Sequence, residues 1–467
     1  MLCVCACVLG ACSSSGSEGS KSSRETSATR GHATSTTSAT TTSAPPTRTG
    51  AQWATYFGDN SRRGVASDGP ASPAALRRQW ESESLDGDVY AQPLLVGDRV
   101  VIATENDTLY SLDASDGAIM WKAHLGEPMA GSSLPCGNVD PVGITSTPVV
   151  DATGNRVYVV GLVQPGRDVL FEVDLSSGRV VDSVGVDAEG ADPLVHNQRA
   201  ALTLADGKVF VPYGGRFGDC GDYHGRVVSV PVSPTGFGSI SSYLLPTQGQ
   251  GGFWAPPGAA VAGDGSLYLA SGNSSSTGDY DYGNSVVRLG ADLRVLDSFA
   301  PANWAALGRS DTDLGSTGPV LLPTSRVFQV GKGGTGYLLD AEHLGGIGGE
   351  LHSGDVCNSG AFGAVAHDGD TLYVPCSNGV VQVIVSGDSF HAGWTAPLSA
   401  PGPTIVAGGA VWTVATSDGT LIALDPASGR TVASERIGSA PSRFTSPAAS
   451  GGRVVVAADR KVVAFGV

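Results

Sequence analysis

Short apolar runs separated by tight turns recur along most of the chain. One copy begins at Pro93, breaks after Val96, and continues as an apolar run that ends at Thr104. A second alternating run ends at Asp113, and a third surrounds Trp121 after an Asp-Gly turn. Alternating apolar and polar positions between turn residues are the pattern of β-strands. Because no long stretch is apolar at the helical period, the sequence predicts many short strands.

The strand pattern repeats over the rest of the chain. It returns from Pro403 to Gly429, and further copies begin at residues 148, 200, 259, 319 and 363. The last copy starts at Pro447 and ends at Val467, one strand short. We count eight units, spaced by roughly 50 residues, a period that indicates a propeller or a solenoid. The segment from Leu76 to Trp80 resembles the missing strand.

These repeats predict an all-β fold, an eight-bladed propeller of four-stranded antiparallel blades. A four-stranded sheet with two apolar faces buries them by packing beside its neighbours around an axis. The last blade would be closed by strands from the N- and C-terminal ends of the chain. Two tandem β-sandwiches are the competing interpretation, but a sandwich gives no reason for the repeated Leu-Asp-x-x-x-Gly turn.

Composition agrees with this interpretation, and the net charge limits the classes of binding partner that are expected. The chain has 467 residues, with 66 Gly and 27 Pro, which mark turns rather than long helices. The formal net charge is −16. An acidic chain repels phosphate backbones, so a nucleic-acid partner is not expected. The simpler interpretation of the charge is solubility.

The first residues predict export and a lipid anchor. A short apolar run from Leu2 to Val8 leads to Leu9-Gly10-Ala11-Cys12. This stretch resembles a bacterial lipobox, in which Cys12 would carry the lipid and residues 1–12 would be the signal segment. No Lys or Arg precedes the apolar run, so we expect the true translation start to lie upstream. A chance Cys-rich start on a cytoplasmic protein is the alternative.

Residues 13–50 are almost wholly Ser, Thr, Ala, Gly and Pro. Such a segment cannot bury a core, so we predict a disordered tether that holds a propeller, residues 51–467, off the outer face of the cell membrane. No later stretch has the run of about 18 apolar residues that a spanning helix needs. The membrane partner would therefore be reached through the lipid.

Four cysteines remain after the signal segment and the lipidated Cys12. They are Cys136, Cys220, Cys357 and Cys376. In an oxidising compartment four cysteines make two disulfides with three possible connectivities. We favour Cys136–Cys220 and Cys357–Cys376, and four free buried thiols are the alternative. Without a CxxC pair or a histidine cluster, the four do not indicate a zinc site.

The unit from Ser111 to Trp121 resembles the docking repeat of pyrroloquinoline quinone (PQQ) propellers. In that repeat an Asp and a Gly shape the turn, and an outer-strand Trp packs on the neighbouring blade. The segments from Val173 to Arg179 and from Leu424 to Arg430 match the turn but lack the Trp. The resemblance covers about Trp80 to Val467 and implies the fold. Non-enzymatic propellers, including the outer-membrane assembly lipoprotein of Gram-negative bacteria, use the same repeat.

The stretch Gly251-Gly252-Phe253-Trp254, followed by Gly272-Asn273, resembles part of the site of quinoprotein alcohol dehydrogenases. This resemblance implies that Trp254 and Lys332 bind the quinone, that Asn273 and Asp311 bind Ca²⁺, and that Asp311 and Asp313 are the catalytic carboxylates. Ca²⁺ prefers hard oxygen ligands, and a carboxylate can act as general base on an alcohol. PQQ and Ca²⁺ would then be the cofactors.

Two departures weaken the dehydrogenase interpretation. Those enzymes supply a Glu to the metal from an earlier blade, and the corresponding stretch from Tyr213 to Cys220 has none, although Asp219 or Asp222 could substitute. The adjacent cysteine pair that closes over the quinone is also missing. Structural roles compete at each site position: Trp254 as a plug between blades, Asn273 and the Asp279–Asn284 stretch as an Asx-rich turn, and Asp311 and Asp313 as solvated loop acids.

The propeller repeats are complete, but some residues of the dehydrogenase site are missing. Two functions are compatible with this combination. The first is an extracytoplasmic lipoprotein that acts as a scaffold and binds a protein, a glycan or a small molecule. The second is a PQQ- and Ca²⁺-dependent dehydrogenase of alcohols or sugars. A serine hydrolase is not expected because no Gly-x-Ser-x-Gly motif occurs. A carboxylate-pair lyase or glycosidase is neither indicated nor excluded by the sequence.

Overall fold

The computed structural model describes residues 52–467, except 188–189 and 277. The described residues form eight separate β-sheets with one short α-helix and three short 3-10 turns. No helix among them is long and apolar enough to cross a membrane. Cys12, the predicted signal segment and the predicted tether lie outside the described residues.

The strands follow one another along the chain in short steps. The first eighteen are β1 (Val65–Ala66), β2 (Arg77–Glu81), β3 (Leu94–Val96), β4 (Arg99–Thr104), β5 (Thr108–Asp113), β6 (Ile119–His124), β7 (Val149–Asp151), β8 (Arg156–Val163), β9 (Arg167–Asp174), β10 (Val180–Gly185), β11 (His196–Asn197), β12 (Thr203–Ala205), β13 (Lys208–Gly215), β14 (Arg226–Ser233), β15 (Gly236–Phe237), β16 (Ser241–Leu244), β17 (Ala260–Val261) and β18 (Leu267–Ala270). The others are β19 (Val286–Leu289), β20 (Val295–Ala300), β21 (Val320–Leu322), β22 (Arg326–Val330), β23 (Thr335–Asp340), β24 (Gly346–Ile347), β25 (His352–Asp355), β26 (Ala366–Asp368), β27 (Thr371–Cys376), β28 (Gly379–Ser386), β29 (Ser389–Pro397), β30 (Ile405–Ala407), β31 (Ala410–Ala415), β32 (Thr420–Leu424), β33 (Thr431–Arg436), β34 (Ala448–Ser450), β35 (Arg453–Ala458) and β36 (Lys461–Gly466). The helix α1 spans Trp304–Arg309.

Each sheet is one blade of an antiparallel meander. Blades 1 and 2 are β3–β6 and β7–β10, blade 3 is β12, β13, β14 and β16 with the short β11 and β15, and blade 4 is β17–β20 with β24. Blade 5 is β21, β22, β23 and β25, blade 6 is β26–β29, and blade 7 is β30–β33 with β1. Blade 8 is β34–β36 with β2. The predicted eight-bladed propeller is confirmed.

Burial follows the position of a strand within its blade. In blade 1 every residue of β5 is buried except Asp113, whereas β6 alternates between half-buried and exposed positions. A strand between two neighbouring blades has both faces covered, and an outer strand has only one. This explains why β5 is buried on both faces, whereas the outer strand β6 is half-buried on one face only.

Blade 8 is closed by strands from both ends of the propeller. β2 pairs antiparallel with β36, so that Arg77 lies opposite Gly466 and Glu81 opposite Val463. The predicted missing strand, Leu76 to Trp80, is therefore β2 shifted by one residue. Backbone hydrogen bonds between the two chain ends close the ring without a covalent link.

Tryptophans of three outer strands dock on the Asp-Gly turn of the next blade. Each indole N–H donates to a backbone carbonyl in that turn: Trp80 to Ala114 O (3.0 Å), Trp121 to Leu175 O (2.9 Å) and Trp394 to Pro426 O (3.0 Å). The resemblance to the docking repeat therefore holds in three dimensions. The two turns that lack their own Trp receive it from the preceding blade.

The turn of the repeat requires glycine for two reasons. In blade 1 the Asp113 carboxylate accepts bonds from the N–H and hydroxyl of Ser115, which fixes the turn. Gly117 follows with φ of +77°, and a Cβ there would lie 2.5 Å from the Trp80 ring. A side chain at Gly117 would therefore strain the backbone and displace the docked indole.

The segment 53–68, which we call the N-terminal segment, crosses one face of the ring. It bonds to the first strands, or to residues just before or after them, in blades 1, 2, 3, 4, 6, 7 and 8. The bonds are Trp53 to Leu95, Val150 N to Ala54 O, Asn60 Nδ2 to Leu204 O, Val261 N to Asn60 O, His367 N to Arg63 O, Val406 N to Gly64 O and Gly451 N to Asp68 Oδ2. One stretch of chain thus links blades that are distant in sequence.

Arg62 anchors this segment inside the ring. Its side chain is buried and donates to Thr55 Oγ1 (2.6 Å) and Tyr56 O (2.8 Å) within the segment. It also donates to Leu202 O (3.0 Å) and Thr203 Oγ1 (2.7 Å) at the start of blade 3. Buried cations are tolerated when hydrogen bonds replace their lost water, and the backbone and hydroxyl acceptors around Arg62 supply them.

Both favoured disulfides form. Cys136 joins Cys220 with 6.0 Å between the Cα atoms, and Cys357 joins Cys376 with 5.4 Å. The first links the connection between blades 1 and 2 to the insertion after β13, and the second ties the end of β27 to the connection before blade 6. The prediction of two disulfides is confirmed, and such pairs are typical of an oxidising compartment.

Buried acidic groups lie between the first blades. Asp107, at the β4–β5 turn, is fully buried, and neither of its carboxylate oxygens has a hydrogen-bond partner among the described residues. Burial, followed by the charges of Glu105, Asp168 and Glu127, raises the pKa of Asp107 to about 9. Asp107 is therefore protonated in the folded protein at neutral pH.

We predict that Asp107 makes stability fall with rising pH. The unfolded-state pKa of an Asp is about 3.9, so between about pH 4 and pH 9 the folded protein holds a proton that the unfolded chain releases. The stability from this group is present below about pH 4 and is lost toward pH 9, by up to about 1.4 kcal/mol per pH unit. Asp107→Asn should flatten the dependence of unfolding free energy on pH, measured by urea denaturation.

Asp98→Asn is the matched control, because Asp98 is 77% exposed in the same blade. It should leave the pH dependence unchanged. An Asp107→Asn curve parallel to that of the unsubstituted protein would contradict the assignment.

Candidate functional site

The predicted site residues lie on connections at one face of blades 4 and 5. Trp254 precedes β17, and Asn273 follows β18. Asp311 and Asp313 lie between α1 and β21, and Lys332 follows β22. In an antiparallel meander the start of the first strand and the end of the second lie at the same edge, so these loops meet. The backbone bonds of the N-terminal segment fall mostly at the middle or the far end of the first strands, as at Leu95 and Val261, and through Arg62 it also reaches Leu202 before β12.

An ion-paired triad forms the centre of the site. The Lys332 ammonium lies 2.8 Å from Asp311 Oδ1 and also contacts Asp313 Oδ2. Asp313 is nearly buried, with 8% of its side chain exposed, whereas Asp311 is 74% exposed. Lys332 therefore bridges an interior carboxylate and a surface carboxylate.

Asn273 fixes both carboxylates from the neighbouring blade. Its backbone N–H donates to Asp313 Oδ1 at 2.6 Å, and its side-chain Nδ2 donates to Asp311 Oδ1 at 3.0 Å. Its Oδ1 accepts from Asn284 Nδ2 at 3.3 Å. Asn284 Oδ1 in turn accepts from Leu314 N at 2.9 Å, which ties the loop of Asp313 to blade 4.

Trp254 forms the aromatic side of the cluster. The Lys332 ammonium lies 5.7 Å from the centre of its ring, and the Phe444 ring meets it edge to face at 6.2 Å. A Cβ at Gly272 would lie 2.4 Å from Asp313 Oδ1 and 2.8 Å from Trp254 Nε1. The Gly-Asn pair is therefore required for the indole and the buried carboxylate to approach each other.

Electrostatics hold Lys332 in its charged form. Burial alone would lower the pKa of Lys332, but the facing carboxylates of Asp313 and Asp311 raise it above its ordinary value. Burial raises the pKa of Asp313, while Lys332 and the Asn273 N–H oppose that rise. The triad satisfies its own charges, apart from the exposed oxygen of Asp311.

The donor set does not fit Ca²⁺. That ion takes six to eight oxygen ligands. The Lys332 ammonium already lies between the two predicted carboxylates, and the Asn273 amide turns its nitrogen toward Asp311. Across the described part of the chain, no group of three or more His, Cys, Asp or Glu residues could hold a metal ion.

The earlier blade supplies no replacement for the missing glutamate. The Asp219 carboxylate accepts from the Tyr223 hydroxyl at 2.5 Å, and Asp222 lies 3.6 Å from the His224 ring. Arg216 is directed elsewhere, donating to Leu194 O at 2.7 Å. Asp219 is thus bonded within its own loop, and the Asp222 side chain is 88% exposed.

Sequence reasoning missed a phenylalanine that contacts Trp254 and an arginine that stacks on that phenylalanine. Arg199, just before the first strand of blade 3, places its guanidinium 4.0 Å from the centre of the Phe444 ring. Phe444 precedes blade 8 and reaches Trp254 of blade 4, which is possible only near the axis. The available signal was a charged Arg199 directly before an apolar strand, in Gln198-Arg199-Ala200-Ala201.

A family described as outer membrane protein assembly factor BamB, with PQQ-like repeats, matches residues 71–232 and 359–435. These two stretches make up just over half of the chain. The chain belongs to this family. The match includes the docking turns of blades 1, 2 and 7, and it leaves out blades 4 and 5, which carry the triad.

Solved structures similar to this member of the family include both enzymes and an assembly factor. A quinohemoprotein alcohol dehydrogenase from Pseudomonas putida is 15% identical, with a TM-score of 0.70 over 89% of this chain and 80% of the enzyme. The corresponding enzyme from Comamonas testosteroni is 14% identical, with a TM-score of 0.68 and the same coverages. BamB from Moraxella catarrhalis is 12% identical, with a TM-score of 0.58 over 84% of this chain and all of BamB. At these identities the likeness shows the fold.

A short match to an unrelated enzyme class was also found. A D-alanine–D-alanine ligase from Cupriavidus pinatubonensis is 34% identical over 89 residues, or 18% of this chain. The chain spans about a quarter of the length of the curated relatives it matches. A match of this length does not bring the ligase activity to the propeller.

We predict that Lys332 matters to stability through Asp313. Lys332→Met should lower the unfolding free energy by about 1–3 kcal/mol, because it leaves a nearly buried carboxylate without its cation. The double variant Lys332→Met/Asp313→Asn should recover most of the loss. Chemical denaturation of the two single variants and the double variant measures the coupling.

Lys461→Met is the control for loss of a surface ion pair. Lys461 contacts Glu81 with both side chains substantially exposed, so the change should cost roughly 0–1 kcal/mol. Additive effects of the Lys332 and Asp313 substitutions would contradict the pairing.

Proposed function

We propose that this protein is an exported, lipid-anchored binding propeller whose axial face holds a ligand, rather than a dehydrogenase. The role is that of a scaffold: the blades position loops, and the loops bind. No redox step by the chain's own residues is part of the proposal.

One observation carries the proposal. Lys332 is ion-paired with both Asp311 and Asp313, the two carboxylates that a dehydrogenase would need free for a metal ion and for proton abstraction. A general base must offer an unpaired lone pair to the proton that it takes. An acid that is hydrogen-bonded to an ammonium and to the Asn273 N–H is better suited to holding loops together.

Family membership supports the same role. The family's description is that of an outer membrane protein assembly factor, and BamB from Moraxella catarrhalis has the same fold. A protein of that description acts by binding. We extend binding, not a particular assembly partner, to this chain.

The anchor is the second part of the proposal. Cys12 would carry the lipid, and residues 13–50 would form the tether to the propeller. The two disulfides support an oxidising compartment outside the cytoplasm. Mass spectrometry of the N-terminal peptide of the membrane fraction tests this part: a diacylated Cys12 is expected, and an unmodified Cys12 would contradict it.

A PQQ- and Ca²⁺-dependent dehydrogenase is the second candidate. The observation in its favour is that Trp254, Asn273, Asp311, Asp313 and Lys332 converge in one cluster, although they come from two blades and four connections. The neighbouring alcohol dehydrogenase structures make this candidate worth a direct test.

We predict that the full chain, purified in detergent, binds no PQQ in a Ca²⁺-dependent manner. Calorimetric titration with PQQ, with and without added CaCl₂, should give the same heats. The physical reason is that Lys332 already occupies the space between the carboxylates. Tight one-to-one binding that requires Ca²⁺ and weakens in Asn273→Ala would overturn the proposal in favour of the dehydrogenase.

A further inference from the structure

Arg199 is a cation on the axis that the triad does not use. It is enclosed deep in the ring yet keeps some accessible surface, as expected of a side chain that lines a channel. One face of its guanidinium stacks on Phe444, and its Nε has no hydrogen-bond acceptor among the described residues. Burial lowers the pKa of Arg199 to about 10, so it stays charged at neutral pH.

Two buried polar atoms share this part of the axis. Tyr56, in the N-terminal segment, is 2% exposed, and its hydroxyl lies beside Ser446 without hydrogen-bond geometry. Glu105, after β4, is 1% exposed; its Oε2 accepts from Gly143 N and Thr145 Oγ1, each at 3.0 Å. Its Oε1 has no partner in the described part of the chain. The charge of Arg199 acts on both groups.

These groups together favour a ligand with a single negative charge. Burial raises the pKa of Glu105 to about 7, so near neutral pH it exchanges between a carboxylate and a carboxylic acid that can donate a hydrogen bond. Glu105 therefore balances only part of the charge of the Arg199 guanidinium. A carboxylate matches the planar fork of a guanidinium and balances that charge, whereas a phosphate dianion would exceed it.

The approach to Arg199 is lined by aromatic rings and a second arginine. Arg443, next to Phe444 in sequence, is exposed, with its guanidinium 3.8 Å from the centre of the Phe362 ring. Partial burial lowers its pKa, and no carboxylate contributes to that shift. Trp254, Phe362 and Phe444 are each half-buried. In a chain of net charge −16, this patch attracts an anion with a flat apolar body.

We propose that the axial region beside Arg199 binds a small, flat monocarboxylic acid, with its carboxylate on Arg199 and its apolar body against Phe444 and Trp254. This inference rests on the proposed binding function and deepens it by naming the class of ligand. The size limit follows from Arg199 itself, which lies within the ring rather than at its surface.

The test uses 4-fluorobenzoate as the probe, followed by ¹⁹F NMR with the full chain in detergent. The unsubstituted protein should bind 4-fluorobenzoate and should bind its neutral isostere 4-fluorobenzamide at least tenfold more weakly. Arg199→Met should lower the affinity for the acid by roughly 10- to 100-fold, the loss expected for charge-assisted hydrogen bonds. Arg199→Lys should lose less, because it keeps the charge and gives up the fork.

Arg179→Met is the control, since Arg179 is exposed at the outer turn of blade 2. It should bind the probe normally. Equal binding of acid and amide by the unsubstituted protein would overturn the inference without any variant, and so would unchanged binding in a folded Arg199→Met. Inorganic phosphate competing as well as benzoate would overturn the carboxylate assignment. Ca²⁺-dependent PQQ binding with an intact Arg199 effect would instead remove the proposed function and leave the carboxylate site.

Discussion

The ring depends on hydrogen bonds between chain segments that are far apart in sequence. β2 completes blade 8 by pairing with β36, and the N-terminal segment bonds to seven of the eight blades. Adjacent blades pack through apolar faces, which act at any angle, so packing alone does not fix the number of blades. The directional bonds of the crossing segment and of β2 add fixed links between particular blades, and the loops before the first strands of blades 4 and 5 are left to form the site.

The cations of the ring lie in different surroundings. Arg62 is buried, and neutral carbonyl and hydroxyl acceptors take the hydrogen bonds of its two terminal nitrogens. The site loops carry the Lys332 triad, in which one cation is shared by two carboxylates, and then Arg199 and Arg443, which have no carboxylate in an ion pair among the described residues. An acidic protein thus keeps a small cationic region at its axis, where ordered loops from several blades meet.

Much of the fold was readable from the sequence because the repeat combines three independent constraints. The Leu-Asp-x-x-x-Gly turn, the alternation of the outer strand and the incomplete last copy all pointed to a closed ring, and both disulfides formed as favoured. The crossing segment was not foreseen. Its stretch from Trp53 to Asp68 has no repeat pattern, and its bonds are mostly made by backbone groups, which any residue carries.

The site was only partly readable. The resemblance brought together Trp254, Asn273, Asp311, Asp313 and Lys332, and these residues do lie together. The resemblance could not reveal that Lys332 would lie between both carboxylates, because that depends on a loop geometry set by Asn273 and Asn284. Arg199 and Phe444 were missed because residues that meet at an axis come from blades with no fixed spacing in sequence.

The most direct test of this account is whether the triad accepts a metal ion. Tb³⁺ takes hard oxygen ligands as Ca²⁺ does, and a bound ion near the Lys332 position would lie close enough to Trp254 for excitation of the indole to sensitise its emission. The account predicts that the unsubstituted protein shows no saturable emission that depends on Trp254. Saturable emission from the unsubstituted protein that disappears in Trp254→Phe would contradict it.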